Sequence, residues 1–200
     1  MSAYGAYISG FFPVDYHTET ADTAITEEIQ GQNGKRLALL AFEVVTSTTP
    51  HTLLLMYPGT SSGSRNTTSA AAAASQKVIN VTETPLDPAG NAAAANDIVA
   101  YQCTDGTWEF NTIASVSTKA ITHGTNLAKA VASGAKYRIF GVAGDNYSHQ
   151  ITLTASTTNK NADIPITAVN PYKGDPWYVY IANATAASKI MNMLFAYINK

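Results

Sequence analysis

The sequence predicts an all-β protein: a β-sandwich or barrel-like body that carries an inserted, small five-stranded β-barrel-like module, preceded by an N-terminal arm. Three observations lead there. Apolar runs are short, rich in β-branched and aromatic residues, and interrupted by turn residues at close intervals. No sustained helical periodicity runs through the chain. Charged residues make up only 13% of it, against about 25% in an average soluble domain, and the Thr and Ala that replace them suit sheets and loops better than long solvated helices.

At 200 residues a compact fold buries roughly 70% of the surface its unfolded chain exposes, so a hydrophobic core can form without cross-links. The single cysteine, Cys103, excludes an internal disulfide and reads as a small buried hydrophobe rather than a reactive thiol. A net charge of -2 with scattered Lys and Arg argues against nucleic acid as a partner, because no basic surface is available to neutralise phosphates. No stretch reaches the ~18 apolar residues of a membrane span, and the N-terminus lacks a basic region followed by an apolar run. Neither a membrane partner nor export by a signal of its own is expected. Sequons at Asn66, Asn80, Asn146 and Asn183 are what a chain rich in Asn and Thr produces by chance.

Residues 1–32 read as the arm: Tyr4, Tyr7, Phe11 and Phe12, then Pro13, then an irregular polar stretch with Glu19, Asp22, Glu27 and Glu28. Rings that cannot be buried locally dock on their own domain or on a neighbour, which makes these four aromatics the candidate partner-binding residues. The body takes residues 33–58 and 145–200. Asn33-Gly34 signals a turn, and the apolar runs Arg36 to Ser47 and His51 to Tyr57, separated by Thr48-Thr49-Pro50, read as a hairpin. Residues 59–77, rich in Gly, Ser, Thr and Ala, read as a flexible connection with room for one helical turn across Ala70 to Ala74.

The module, residues 78–144, has the clearest β grammar. Its five candidate strands are Val78 to Thr82, Ile98 to Cys103, Thr107 to Ala114, Ser117 to Thr122 and Lys136 to Val142. Asp105-Gly106 between the second and third is a strong hairpin signal. Beyond it, Gln150 to Ser156, Ile164 to Val169, Trp177 to Ala182 and Lys189 to Ile198 return to the body. The last two read as a pair. Residues 186–200 also fit helical spacing, with the strand preferred.

Chemistry-bearing motifs are sparse. Gly59-Thr60-Ser61-Ser62-Gly63 matches G-x-S-x-G, whose serine is a nucleophile when the motif forms a strained turn between a strand and a helix. That makes Ser61 hydrolysis a remote alternative, because the strand and helix alternation such a fold requires is missing. His17, His51, His123 and His149 have no partner at zinc-site spacing and read as surface or interface residues. No carboxylate pair stands out. Trp108 and Trp177 could stack on a sugar, though packing in a core or interface is the better reading. Catalytic, metal-binding and cofactor-binding residues are all expected to be absent.

The stretch Ala95-Asn96-Asp97-Ile98-Val99-Ala100-Tyr101-Gln102, continuing through Asp105-Gly106-Thr107-Trp108 to Ile113-Ala114-Ser115-Val116-Ser117, resembles a small β module of tailed-bacteriophage structural proteins, in particular capsid decoration (cement) proteins. The resemblance covers about residues 78–142 and its motif is loose. It implies a non-catalytic protein, made in the host cytoplasm, that binds the major capsid protein on the outside of the phage head and stabilises it. A tail or fibre component that binds a host receptor or glycan is the alternative. Self-association is also expected, a trimer ahead of a dimer, because lattices offer threefold positions and repeated weak contacts gain by avidity.

Overall fold

The computed structural model describes residues 8–13, 17–19, 25–31, 33–45, 51–142, 148–153, 158–160, 170–181 and 189–198. Among these there are strands and no helix. In chain order they are β1 (Ile8–Pro13), β2 (His17–Glu19), β3 (Ile25–Ile29), β4 (Arg36–Val45), β5 (His51–Met56), β6 (Arg65–Thr67), β7 (Val78–Asn80) and β8 (Ile98–Gln102). There follow β9 (Trp108–Ser117), β10 (Ala120–His123), β11 (Lys136–Gly141), β12 (Ser148–Leu153), β13 (Thr158–Lys160), β14 (Trp177–Ile181) and β15 (Lys189–Ile198). The chain divides into two compact units, residues 1–55 with 150–200, and residues 56–149.

The first unit, the body, contains two sheets. One has the order β1-β15-β4-β13, with β2 also paired to β15; the other has the order β12-β5-β14-β3. The two ten-residue strands β4 and β15 match each other along their whole length, from Arg36↔Ile198 to Val45↔Ile190, with one irregularity between Leu194 and Phe195. Trp177 of β14 ties the sheets together: fully buried, it donates its indole N–H to the Leu37 carbonyl of β4 at 3.1 Å. The Asn170 amide donates to the same carbonyl at 2.8 Å, and the Gly174 amide to Lys35 at 2.7 Å, so the 170–177 segment satisfies a stretch of β4 that lies outside its pairing with β13. Leu53, Leu54, Leu55 and Met56 of β5 are all buried, as a strand flanked on both sides requires.

Three expectations change here. The β4 and β5 runs do not form a hairpin, nor do β14 and β15 pair; the members of each couple lie in different sheets. Long apolar strands gain most from partners of equal length, and for β4 that partner is β15 rather than its sequence neighbour. The N-terminal segment also contains regular strands. β1 runs antiparallel to β15, with Phe11↔Ala196 and Phe12↔Phe195, and β2 continues the path from Met191↔His17 to Lys189↔Glu19. Pro13 is tolerated because β1 is an edge strand. β3, drawn from the acidic stretch, pairs with β14 from Trp177↔Ile29 to Ile181↔Ile25. Its glutamates suit an edge, where charge discourages further pairing, and the Glu28 carboxylate accepts the Tyr178 hydroxyl at 2.9 Å.

The second unit is one six-stranded sheet of order β6-β11-β8-β9-β10-β7. Its two edges meet. Thr68 and Val81 form an antiparallel bridge, flanked by Ser69 N–H to the Asn80 carbonyl at 2.9 Å and Thr82 N–H to the Thr67 carbonyl at 3.0 Å. The sheet therefore curls on itself into a small barrel without free edges at that point. Its interior holds Ile79, Val81, Val99, Tyr101, Ile113, Ile121, Tyr137 and Ile139, with Leu127 and Val131 contributed by a loop. The expected β8–β9 hairpin forms, with the register Gln102↔Trp108 through Ile98↔Thr112.

The sixth strand comes from the stretch expected to be a flexible connection. Within 59–77, β6 pairs with β11. Ala72 exchanges two backbone hydrogen bonds with Val131 at 2.8 and 2.9 Å and buries its methyl group in the barrel core. Gly59 and Gly63 pass so close to Pro88 and Leu86 that a Cβ at either would collide with them. Gly, Ser and Ala typify linkers, but they are equally what close backbone approach demands. The alanine run forms no helix. The expected strand Ile164 to Val169 lies outside the described residues.

Candidate interaction surface

The sequence-derived partner-binding residues divide into two groups. Tyr4 and Tyr7 lie outside the described residues. Phe11 and Phe12 have their backbones in β1, hydrogen-bonded into the body sheet beside β15. Sequence reasoning took their irregular spacing as the mark of an arm, and the signal that would have placed them, the apolar run at residues 189–198, sits at the opposite end of the chain.

In the barrel, two features face solvent. The first is the outer face of β9, β10 and β7. Irregular pairing between Thr122↔Ser115 and His123↔Ile113 marks a bulge in β9, and one extra residue reverses which alternate side chains point inward. Ile113 and Val116 can therefore both pack on the core while Ser115 and Ser117 stay exposed. In register with these two lie Thr122 and Ala120 of β10, then Val78 and Asn80 of β7. The result is an uncharged sheet face of small residues, with Val78 exposed on it.

The second feature is the β8–β9 tip. Gly106 adopts φ 84°, the left-handed region a tight turn needs. The Asp105 carboxylate accepts the Thr107 amide at 3.0 Å and the Thr107 hydroxyl at 2.6 Å. Lys129 donates to Thr107 Oγ1 at 2.8 Å and pairs with Asp105 at 2.9 Å. Glu109 accepts the backbone amides of Ala128 and Lys129 at 2.7 and 2.8 Å, and Thr104 N–H reaches the Ala130 carbonyl at 3.0 Å. Two loops distant in sequence are thus laced into one rigid tip. The Thr107 hydroxyl, followed by Lys129, holds the Asp105 carboxyl down at about 2.

Behind the tip, Cys103 is buried, and burial, reinforced by Glu109 and Asp105, pushes its thiol up to about 11; it is a packing residue in its protonated form. Trp108 is buried too, with the Arg138 guanidinium 5.8 Å from its ring centroid, and Trp177 is fully buried. Neither ring offers an exposed sugar platform. Phe110 and Phe140 stack at 5.8 Å with an interplanar angle of 13°.

His123, expected at the surface or an interface, is instead buried in the barrel. Its Nε2 lies 2.8 Å from the Tyr101 hydroxyl, the rings meet edge to face at 5.1 Å, and Nδ1 has no hydrogen-bond partner. Burial lowers its pKa to about 4, so it is neutral at neutral pH. In β10 it lies inward by alternation with Ile121, with Thr122 between them on the other face; the strand expected over Ser117 to Thr122 ends one residue before it. The side chains of the other three histidines lie outside the described residues.

The G-x-S-x-G segment takes a different form from a nucleophile elbow. The Ser61 carbonyl accepts from the Ser64 amide at 3.1 Å and from the Ser64 hydroxyl at 2.8 Å, and the chain then enters β6 rather than a helix. Arg65 donates to the Gly59 carbonyl, which fastens the turn further. Ser64, rather than Ser61, is the buried serine, and its hydroxyl also reaches the Pro58 carbonyl at 2.6 Å.

Comparison with known protein families and with curated proteins finds no match. Among solved structures, the chain aligns with two from infectious bursal disease virus, one of the Gt strain and one of virus-derived T=1 particles. Identities are 12% and 13%, with TM-scores of 0.14 and 0.13, over 96% of this chain. The chain spans 41% of the length of each. Similarity at that level defines no common fold.

Proposed function

We propose that the protein is a non-enzymatic virion building block, a decoration protein that binds the outside of a phage head through contacts with the major capsid protein. The observation that carries this reading is the braced barrel, which presents an uncharged outer face of Ser, Thr, Asn, Ala and Val at the far end of β9 and a hydrogen-bonded tip at its start. Binding on a lattice rewards a rigid surface, because little side-chain entropy is lost when it docks and few charges must be stripped of water. The barrel also contains the stretch Ala95 to Ser117 that resembles the decoration-protein module.

Topology favours the same use. The chain leaves the body after β5 and returns in β12, and these strands are neighbours in one sheet, so the barrel is an insertion that need not disturb the fold carrying it. Purified protein added to decoration-free capsids is expected to bind saturably, and a label on it to distribute over the head. A label found only at the tail tip, or loss of host adsorption with capsid stability intact after the protein is removed, would overturn the proposal in favour of the tail or fibre alternative.

A further inference from the structure

We propose that Asn33-Gly34 is a site of spontaneous covalent modification, at which the folded protein converts asparagine 33 into a mixture of aspartate and isoaspartate. This inference is independent of the capsid reading. It starts from position: Asn33 and Gly34 are both exposed, in the turn between β3 and β4. Gly34 has φ +74°, and nothing lies within 4 Å of where its Cβ would be. Asn-Gly occurs at no other position in the chain.

The chemistry needs only water. The Gly34 backbone nitrogen, on losing its proton, attacks the Asn33 side-chain carbonyl carbon; a new C–N bond forms, the bond to the side-chain nitrogen breaks, and ammonia leaves. Water then opens the five-membered imide at either carbonyl, giving the ordinary or the β-linked aspartyl peptide. One water is consumed and one ammonia released, with no oxidant, reductant or cofactor. Glycine at the second position is decisive, since a side chain there crowds the approach.

The surroundings confine the event and give it a consequence. On one side of the turn, a Cβ at Gly31 would meet the Gly174 backbone; on the other, the Lys35 carbonyl accepts the Gly174 amide at 2.7 Å. The base of the turn is clamped while the Asn33-Gly34 peptide stands clear. Conversion adds one negative charge to a chain whose net charge is -2, and the β-linked product inserts an extra backbone carbon directly above the clamp.

The test is to hold the folded full-length protein in mildly alkaline buffer, follow charge by isoelectric focusing, and locate products by peptide mass spectrometry with isoaspartate detection. Asn80 and Asn91 are the internal references, exposed asparagines followed by Val81 and Ala92. The expected result is an acidic species that accumulates with time, maps to position 33 several-fold faster than to either reference, contains isoaspartate, and disappears in Asn33→Gln. Conversion at Asn33 no faster than at Asn80 and Asn91, or an acidic species that persists in Asn33→Gln, would overturn the proposal. A conversion seen in urea but absent from the folded protein would overturn it equally.

Discussion

The body and the barrel are both all-β, yet they are assembled over very different distances along the chain. In the barrel, β8 pairs with β9 and β9 with β10, across turns of a few residues. In the body, β4 pairs with β15, β3 with β14, and β1 and β2 with β15, so nearly the whole chain intervenes. Non-local pairing pays its loop-closure entropy before any contact rewards it. In the barrel the β8–β9–β10 hairpins can consolidate early and the longer-range pairings of β6 and β8 with β11 and of β7 with β10 follow, whereas the body's pairings with β14 and β15 must wait for both ends of the chain.

The largest effect should come from cutting the cross-sheet anchor at Trp177. Trp177→Ala removes a fully buried ring and the hydrogen bond to Leu37, and large-to-small changes of this kind cost about 3–5 kcal/mol. The loss should fall on the body: in denaturant, tryptophan fluorescence from the remaining Trp108 should report a barrel that unfolds near its original midpoint. A matching drop in the barrel transition would show that the two units unfold as one.

Second comes the N-terminal edge. Read from sequence alone, residues 1–32 are an arm, and deleting Met1 to Phe12 is expected to leave thermal unfolding nearly unchanged; the ladder of β1 on β15 changes that expectation. At about 1 kcal/mol per hydrogen bond, losing most of β1 should destabilise the body by roughly 2–3 kcal/mol. Calorimetry of the truncated protein checks this. An unchanged melting temperature together with weakened capsid binding would restore the arm reading for all four aromatics.

These contrasts explain what was legible. The β8–β9 hairpin could be read because Asp105-Gly106 lies between two apolar runs within reach of each other. The insertion could be read because the long apolar runs at 36–57 and 177–198 flank a different grammar. Strand β6 was hidden because Arg65-Asn66-Thr67 has no apolar face and becomes a strand only through β11. The partners of β4 and β14 were hidden for another reason: a strand's period tells which face is buried and nothing about which strand lies beside it. His123 shares the inward face of β10 with Ile121 by plain alternation; it was missed because the strand expected over Ser117 to Thr122 stops one residue short of it.

Acid should separate the two units from the other side. With its pKa lowered from 6.5 to about 4, His123 stays neutral in the folded barrel while the unfolded chain takes up a proton. Stability from this group is therefore full above pH 6.5 and is lost as pH falls toward about 4, by roughly 3 kcal/mol across that window. Asp97, whose carboxyl is raised mainly by burial, works in the opposite direction at the acid end, so the comparison must be with a variant. His123→Gln, which can still meet the Tyr101 hydroxyl, should flatten the slope of barrel stability between pH 6.5 and pH 4. An unchanged slope would show that the barrel's acid sensitivity lies elsewhere.

The smallest effect is expected at the barrel tip, and it sharpens the same comparison from within one unit. The Asp105 carboxyl, held at about 2 by the Thr107 hydroxyl and by Lys129, remains ionised through the whole range in which His123 titrates. It is exposed, and exposed charge pairs contribute little to global stability. Asp105→Ala should therefore leave the melting temperature almost where it was, while it frees the Thr107 amide, which would exchange its hydrogen faster than in the parent protein. On lowering the pH of the parent, the Thr107 amide resonance should hold its position until near pH 2, well after the His123 ring has begun to charge. A Thr107 resonance that moves in the ordinary carboxylate range would mean that the tip is not held as the bond lengths imply. The rigid docking surface proposed for the barrel would then lose its main physical support.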